Sequence, residues 1–365
     1  MNAAQAEPSR PRIRPSRSGR RRAFVLGGVH LLLFAHLLHW WWSGRTLTPL
    51  EPSEGMEFSK QGVVNAGLLF FAAAGLSTLV FGRYFCGWAC HLVALQDLCR
   101  WMLLKVGIRP KPLRSRALLW VPAGAFLYMF VWPLLYRSWV GDDLGVRAVH
   151  LTTTSFWATF PGPIVAVVTF LVCGFAAVYF LGAKGFCTYA CPYGALFGAV
   201  DRFAPGRIRV TDACEGCGHC TAVCSSNVVV HAEVRDFGMV VDPGCMKCMD
   251  CVSVCPNDAL YFGFGRPAAF AAPRVAVPSV RKAEHGWREE AALGALFLLA
   301  FTAFRGLYGV VPFLLALGLG AIVACLALQA LRMIYRRDVR LARWVLKSGG
   351  RLRPAGRCFA VGMLL

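Results

Sequence analysis

The sequence has few charged residues for its length, and negative charge is the scarcer sign. Of 365 residues, 16% are charged and 19 are Asp or Glu, against 39 Lys or Arg. By contrast, 57% of the residues are apolar and the mean hydropathy is +0.52. This polar content is too low to cover a globule of this size, so a wholly soluble protein is excluded and some apolar surface must face lipid.

Other features are missing as well. No segment resembles a nicotinamide or a flavin site, so the sequence favours an electron carrier over an enzyme with a substrate of its own. The apolar segments carry histidine only at His30, His36 and His39, and no second helix supplies the paired axial ligands that a haem iron would need. Polar contacts inside a helix bundle are the favoured interpretation of the three histidines, with quinone contact as the alternative.

Several apolar runs are long enough to cross about 30 Å of hydrocarbon. We predict six membrane helices: Ala23–Trp42, Val63–Phe81, Leu118–Tyr136, Ile164–Leu181 and two within Ala291–Met333 that turn near Arg305–Pro312. The first run is too long for a cleaved signal peptide and is interpreted as an anchor. The remaining segments are predicted to be a disordered basic arm (1–22), a cytoplasmic domain (183–264), a linker (265–290) and a basic cytoplasmic tail (335–365).

The positive charge is distributed unevenly along the chain. Segments 1–22, 83–116 and 332–365 hold seven, seven and nine Lys or Arg residues, whereas loops 44–62 and 137–162 hold two each. By the positive-inside rule, both termini and the 83–116 loop are predicted to be cytoplasmic, and segment 183–290 lies on the same side. The net charge of +20 is thus interpreted as a topology signal and an attraction to anionic lipid, not as nucleic-acid binding.

Eight of the sixteen cysteines lie in two runs with identical spacing. The runs are Cys214, Cys217, Cys220 and Cys224, then Cys245, Cys248, Cys251 and Cys255. A [4Fe–4S] cubane needs four thiolates around one small volume, and in two-cluster ferredoxins the fourth ligand comes from the other run. The first cluster is therefore assigned to Cys214, Cys217, Cys220 and Cys255, and the second to Cys245, Cys248, Cys251 and Cys224.

Zinc is the alternative occupant, but zinc favours two separated pairs of cysteines over four in one run. Pro256 follows the second run, whereas Ser225 stands at the equivalent place in the first. Short apolar stretches at Val228–Val230 and Met239–Val241 are expected to form the small hairpins of a ferredoxin-like α+β domain.

A second internal repeat, with fewer cysteines, lies next to the predicted membrane helices. Phe85-Cys86-Gly87-Trp88-Ala89-Cys90 matches Phe186-Cys187-Thr188-Tyr189-Ala190-Cys191, which suggests a duplicated helix hairpin. If each motif is helical, its two sulfurs share one face. Three interpretations stay open for Cys86, Cys90, Cys187 and Cys191: a thiolate site for a third redox centre or Cu(I), a pair of thiol–disulfide couples, or packing at helix ends.

Two such motifs followed by a two-cluster ferredoxin segment resemble the NapH/NosR/CcoG family of polyferredoxin-like membrane proteins, in particular its NapH-like branch. The similarity covers roughly residues 60–262, and the departures from the family pattern include His91, where the family has proline after the motif. The resemblance implies a bacterial inner-membrane protein that carries electrons from quinol or a cytoplasmic donor to a redox partner. The alternative is a copper reductase or assembly factor that uses the membrane cysteines.

Overall fold

The computed structural model describes residues 13–276, 285–307, 311–341 and 344–363. Four helices within these ranges are long and apolar enough to cross a membrane: Arg17–Ser43, Leu118–Trp139, Pro163–Leu181 and Phe313–Tyr335. Ala66–Phe81 is a shorter apolar helix, and Trp287–Leu307 is a further helix of 21 residues. These helices, together with the relatives described below, mark the chain as a membrane protein.

The N-terminal arm differs from the prediction. The first helix begins at Arg17, where Ser16 caps it by accepting a hydrogen bond from the Gly19 amide. Arg22 is buried, with ion pairs of 3.1 Å to Asp97 and to Asp250. The prediction of a disordered arm up to residue 22 is therefore wrong for residues 17–22, because partners distant in sequence hold this turn. Residues 1–12 of the arm lie outside the described residues.

The two loops that hold few Lys and Arg residues, 44–62 and 137–162, are paired with each other. Thr46–Leu47 pairs antiparallel with Thr152–Thr153, and Val63–Asn65 pairs parallel with Ala148–His150. The second helix therefore starts at Ala66, capped by the Asn65 side chain, and not at Val63. Short helical turns complete these loops: Pro52–Gly55, Met56–Gln61 and Phe156–Thr159.

Each cysteine motif next to the membrane lies between two helices. After Ala66–Phe81 come Tyr84–Trp88 and His91–Lys105; after Pro163–Leu181 come Gly185–Tyr189 and Pro192–Asp201. The two stretches thus have the same order of elements. Their buried side chains belong to one apolar core that also includes the C-terminal helices.

The segment that was predicted to be a cytoplasmic domain (183–264) has a small apolar core of its own. Its sheet pairs Arg207–Val210 with Leu260–Gly263 in antiparallel register, and its helices are His219–Val223, Val230–Phe237 and Asp250–Ser253. The expected hairpin at Val228–Val230 is wrong, because Val230 begins a helix. Met239 forms one isolated bridge with Arg209. Ala268–Phe270 adds a short turn, and residues 277–284 of the predicted linker lie outside the described residues.

The C-terminal region, which was predicted to end in a basic tail (335–365), contains regular secondary structure. Glu289 at the start of Trp287–Leu307 accepts hydrogen bonds of 2.6 Å from Arg332, Tyr335 and Arg336, which joins the two last long helices. The predicted turn between them includes residues 308–310, which are outside the described residues. Beyond Tyr335, a three-stranded sheet (Val339–Leu341, Trp344–Ser348, Arg351–Leu352) precedes the helix Pro354–Gly362.

Candidate metal centres

The first ferredoxin loop, residues 214–220, surrounds an open cavity. The cavity is lined by Cys214, Cys217 and Cys220 of this loop and by Cys255 of the second run. Cys214 and Cys217 are exposed, whereas Cys220 is buried. Gly216 and Gly218 have φ of +70° and +78°, a left-handed conformation that glycine adopts without strain and that curls the loop around its cysteines.

The second ferredoxin loop, residues 245–251, lies inside the molecule. Cys245, Cys248 and Cys251 are all buried, and the Cys224 thiol is close enough to Cys248 and Cys245 to interact with both electrostatically. Burial raises the pKa of the Cys248 thiol to about 11; Asp250 adds to this rise, and Arg22 opposes it. A cation beside a buried thiol favours the thiolate that binds metal.

Both groups of cysteines fit a cubane cluster. In the described part of the chain no three Cys, His, Asp or Glu side chains are arranged to hold a single metal ion. A cubane differs from a single ion, because its irons occupy separate corners and its thiolates surround a volume instead of meeting at a point. The cavity bordered by Cys214, Cys217, Cys220 and Cys255 has that form, and it combines residues of both runs.

A buried ion-pair group supports the second loop. Lys247, fully buried, donates a hydrogen bond of 2.7 Å to Asp201, and Arg207 reaches the other oxygen of that carboxylate at 2.8 Å. The Arg83 amide also donates to Asp201, at 2.9 Å. Asp201 ends the helix that follows the second membrane cysteine motif, so the ion pairs fasten the second loop to both membrane motifs.

The membrane motifs are not continuous helices, so the condition under which the two sulfurs of a motif would share one helix face is not met. Cys86 lies in the short helix Tyr84–Trp88, and Cys90 is the extended residue that begins the next helix. Cys187 and Cys191 repeat this arrangement. The cysteine spacing alone does not show this break between the two cysteines of each motif.

The four thiols nevertheless come together. Cys90 lies near Cys187 and Cys86, and Cys191 lies near Cys187, Cys90 and Cys86. All four line one cavity of about 480 Å³. Most of its other walls are apolar residues, including Val29, Leu32 and Leu33 of the first helix. The structure thus brings the two motifs together next to an apolar space.

Two buried cations beside these thiols were not predicted. Arg83 lies against Cys86, and Lys184 forms an ion pair with Asp97. Burial raises the pKa of the Cys187 thiol, while Lys184, a hydrogen bond from Gln96 and Arg83 oppose the rise. Arg83 and Lys184 each stand three residues before the first cysteine of a motif, so the sequence repeat held the signal that could have identified them.

The histidines of the first helix make local polar contacts. His30 is 2.9 Å from the carbonyl oxygen of Leu26, and His39 is 3.0 Å from the Thr46 hydroxyl. His36 is 3.1 Å from the carbonyl oxygen of Leu47 and also lines the cavity of the membrane cysteines. His91, at the position where the family has proline, lines the same cavity and lies 3.9 Å from Glu51.

Family models of iron–sulfur domains match the same segments of the chain. A model described as a 4Fe-4S binding domain matches residues 65–109 and 164–211, and one described as a 4Fe-4S dicluster domain matches residues 213–260. The first covers both membrane cysteine motifs, and the second covers both ferredoxin loops. The matches define a class that this chain resembles, namely proteins with 4Fe-4S binding domains.

Individual relatives agree with this class. The methylamine utilization ferredoxin-type protein MauN of Methylorubrum extorquens is 27% identical over 195 residues, which is 52% of this chain and 64% of MauN. The ferredoxin-type protein NapH of Haemophilus influenzae is 27% identical over 202 residues, 53% of this chain and 65% of NapH. NapH of Escherichia coli is 26% identical over 194 residues, 50% of this chain and 62% of that protein.

The expected resemblance to NapH-type proteins is thus confirmed. The aligned part of the chain spans just under two thirds of the length of these relatives. No solved structure is similar to this chain.

Proposed function

We propose that this chain is a membrane-bound electron-transfer protein that takes electrons from quinol or a cytoplasmic donor and relays them to a redox partner. The observation that carries the proposal is the cavity shared by three cysteines of one run and Cys255 of the other. This interleaving is the ligand arrangement of two-cluster ferredoxins. Cys214, Cys217, Cys220 and Cys255 hold one [4Fe–4S] cluster, and Cys245, Cys248, Cys251 and Cys224 hold the other. Bound clusters supply one-electron chemistry; the chain supplies ligands, burial and nearby charge.

The proposed topology places both termini and the ferredoxin segment in the cytoplasm of a bacterial inner membrane. Support comes from the uneven Lys and Arg distribution and from the pairing of loops 44–62 and 137–162 with each other. The 83–116 loop contacts the ferredoxin segment, as the hydrogen bond of 2.9 Å from the Arg83 side chain to the Pro243 carbonyl illustrates. Quinol access is supported by the apolar cavity between the first helix and the membrane cysteines, since ligand sites are typically apolar clefts with a few polar groups.

A second candidate function is copper reduction or assembly at Cys86, Cys90, Cys187 and Cys191. The observation that favours it is the grouping of four thiols, of which Cys90 is partly exposed and the other three are buried, with Arg83 and Lys184 beside them. Soft thiolate ligands select Cu(I) or iron–sulfur clusters. A third redox centre at the same cysteines would instead extend the electron relay into the membrane part.

The test is anaerobic purification in detergent, with iron, sulfide and copper quantification and EPR of the reduced protein. About eight irons per chain, coupled [4Fe–4S] signals and no copper support the relay with two clusters. Additional iron that Cys187→Ser removes, and that Cys325→Ser retains, places a third centre at the membrane cysteines. Copper with the same dependence favours the second function, and zinc without iron contradicts both. Cys325 is a matched control because it is a buried cysteine in the helix Phe313–Tyr335.

A further inference from the structure

The first membrane cysteine motif lies directly against the second ferredoxin loop. Gly87, the residue after Cys86, faces the carbonyl oxygen of Met246, and a Cβ added to Gly87 would overlap that oxygen. Met246 is the residue after Cys245. Two hydrogen bonds flank the contact: the Trp88 indole donates to the Lys247 carbonyl at 3.0 Å, and Arg83 donates to the Pro243 carbonyl at 2.9 Å.

We define these three contacts, centred on Gly87 and Met246, as the junction. The centre of the junction is shielded from bulk solvent, because Cys86, Gly87 and Met246 are all buried and Met246 is only 1% exposed. A backbone contact of this closeness brings two cysteine-bearing turns as near to each other as their chains allow. Only glycine leaves room for it, because any side chain at position 87 would push the second loop away.

The first ferredoxin loop is placed differently. Cys214 and Cys217 are exposed, and the cavity that they border opens at the surface. The cysteines therefore form an ordered series: the membrane group, then the buried second loop, then the exposed first loop. Rates of electron transfer between centres fall steeply with distance, so the closest contacts in such a series determine the route.

We propose that the junction is where single electrons cross between a lipid-soluble redox molecule in the apolar cavity of the membrane cysteines, which Cys86 and Met246 both line, and the cluster of the second ferredoxin loop. The molecule in the cavity and the cluster exchange one electron at a time, and the first loop is the solvent end of the route. This inference rests on the proposed function, since it orders the relay that the proposed function assumes. Gly87 is a positioning residue here: it sets the separation of the two cysteine groups and binds no metal itself.

The test compares two one-electron oxidants that approach from opposite ends. The full chain, anaerobically purified with its clusters and reduced with dithionite, is placed in liposomes. Stopped-flow absorbance then follows reoxidation by a long-chain alkylferrocenium confined to the bilayer, or by ferricyanide in the water. Each reduced cluster gives up one electron, and each ferrocenium or ferricyanide takes up one, with no proton involved.

Gly87→Ala is expected to slow reoxidation by the membrane-confined oxidant several-fold and to leave the ferricyanide rate unchanged. The matched control is Gly75→Ala, since Gly75 lies in the neighbouring helix Ala66–Phe81 and a Cβ there meets open space; neither rate should change. Should Gly87→Ala fail to fold, Trp88→Phe removes the indole hydrogen bond to Lys247 and should show the same selective slowing to a smaller degree.

A readout independent of electron transfer is hydrogen–deuterium exchange of residues 243–250, which should be faster in Gly87→Ala and unchanged in Gly75→Ala. Intact clusters with equal slowing for both oxidants, or with no slowing, would overturn the junction as the route. The proposed route would also be overturned if ferricyanide, but not the membrane-confined oxidant, oxidised the clusters of the wild-type chain. A wild-type chain that binds no cluster, or whose clusters neither oxidant reoxidises, would contradict the proposed function itself.

Discussion

The two ferredoxin loops have the same cysteine spacing but lie in opposite surroundings. In the first loop Gly216 and Gly218 take left-handed backbone conformations; at the same positions of the second loop stand Lys247 and Met249, with φ of +51° and +62°. Such conformations cost roughly 1–2 kcal/mol for a residue with a Cβ. The second loop bears that cost, and its lysine reaches Asp201 at 2.7 Å.

The difference shows that two loops with the same cysteine spacing can have different structural roles. The first loop needs only to wrap its cysteines, and glycines do this at an exposed surface. The second loop also forms part of the contact with the membrane motifs, so its side chains replace glycine in spite of the backbone strain. Variants that exchange these features test whether the two roles are separate.

The largest effect is expected when a cysteine of each loop is removed. Cys217→Ala and Cys251→Ala should each lower the iron content from about eight to about four per chain, because each breaks one cubane. Cys251→Ala should also lower the midpoint of unfolding in detergent well below that of Cys217→Ala, since Cys251 is buried and Cys217 is exposed. Equal midpoints at equal iron loss would show that the second loop has no additional structural role.

Local signals predicted much of this molecule. Apolar runs predicted the long helices, because hydropathy is summed over neighbouring residues, and cysteine spacing predicted the two runs that share the cavity. The buried Arg22 was missed because its partners, Asp97 and Asp250, are brought to it by the fold. The helix break between Cys86 and Cys90 could not be predicted either, because spacing alone is compatible with a helix.

The second prediction replaces the lysine of the second loop with the residue found in the first. Lys247→Gly removes a buried ion pair, which typically costs about 3–5 kcal/mol when one partner is lost. Glycine adopts the left-handed backbone conformation without the strain that lysine bears, which offsets roughly 1–2 kcal/mol of this loss. Asp201 also keeps Arg207 as an ion-pair partner. We therefore expect a net loss of about 2 kcal/mol in the free energy of unfolding, measured by denaturant titration of the detergent-purified chain.

Lys247→Met provides the control for this variant, since it removes the charge but keeps a long side chain and the backbone strain. It should destabilise the chain more than Lys247→Gly does. The opposite order would mean that volume at position 247, and not the balance of ion pair and strain, determines the stability of the second loop.

The smallest effect is expected for the reciprocal change, Gly216→Lys in the first loop. A Cβ at Gly216 meets open space, so the cost is the left-handed conformation alone, roughly 1 kcal/mol, and no buried partner offsets it. Iron content should stay at about eight per chain, and the unfolding midpoint should fall slightly in the same titration. A loss of iron, or a destabilisation as large as that of Lys247→Gly, would show that the exposed loop is as constrained as the buried one. The contrast between the two loops would then arise from something other than their surroundings.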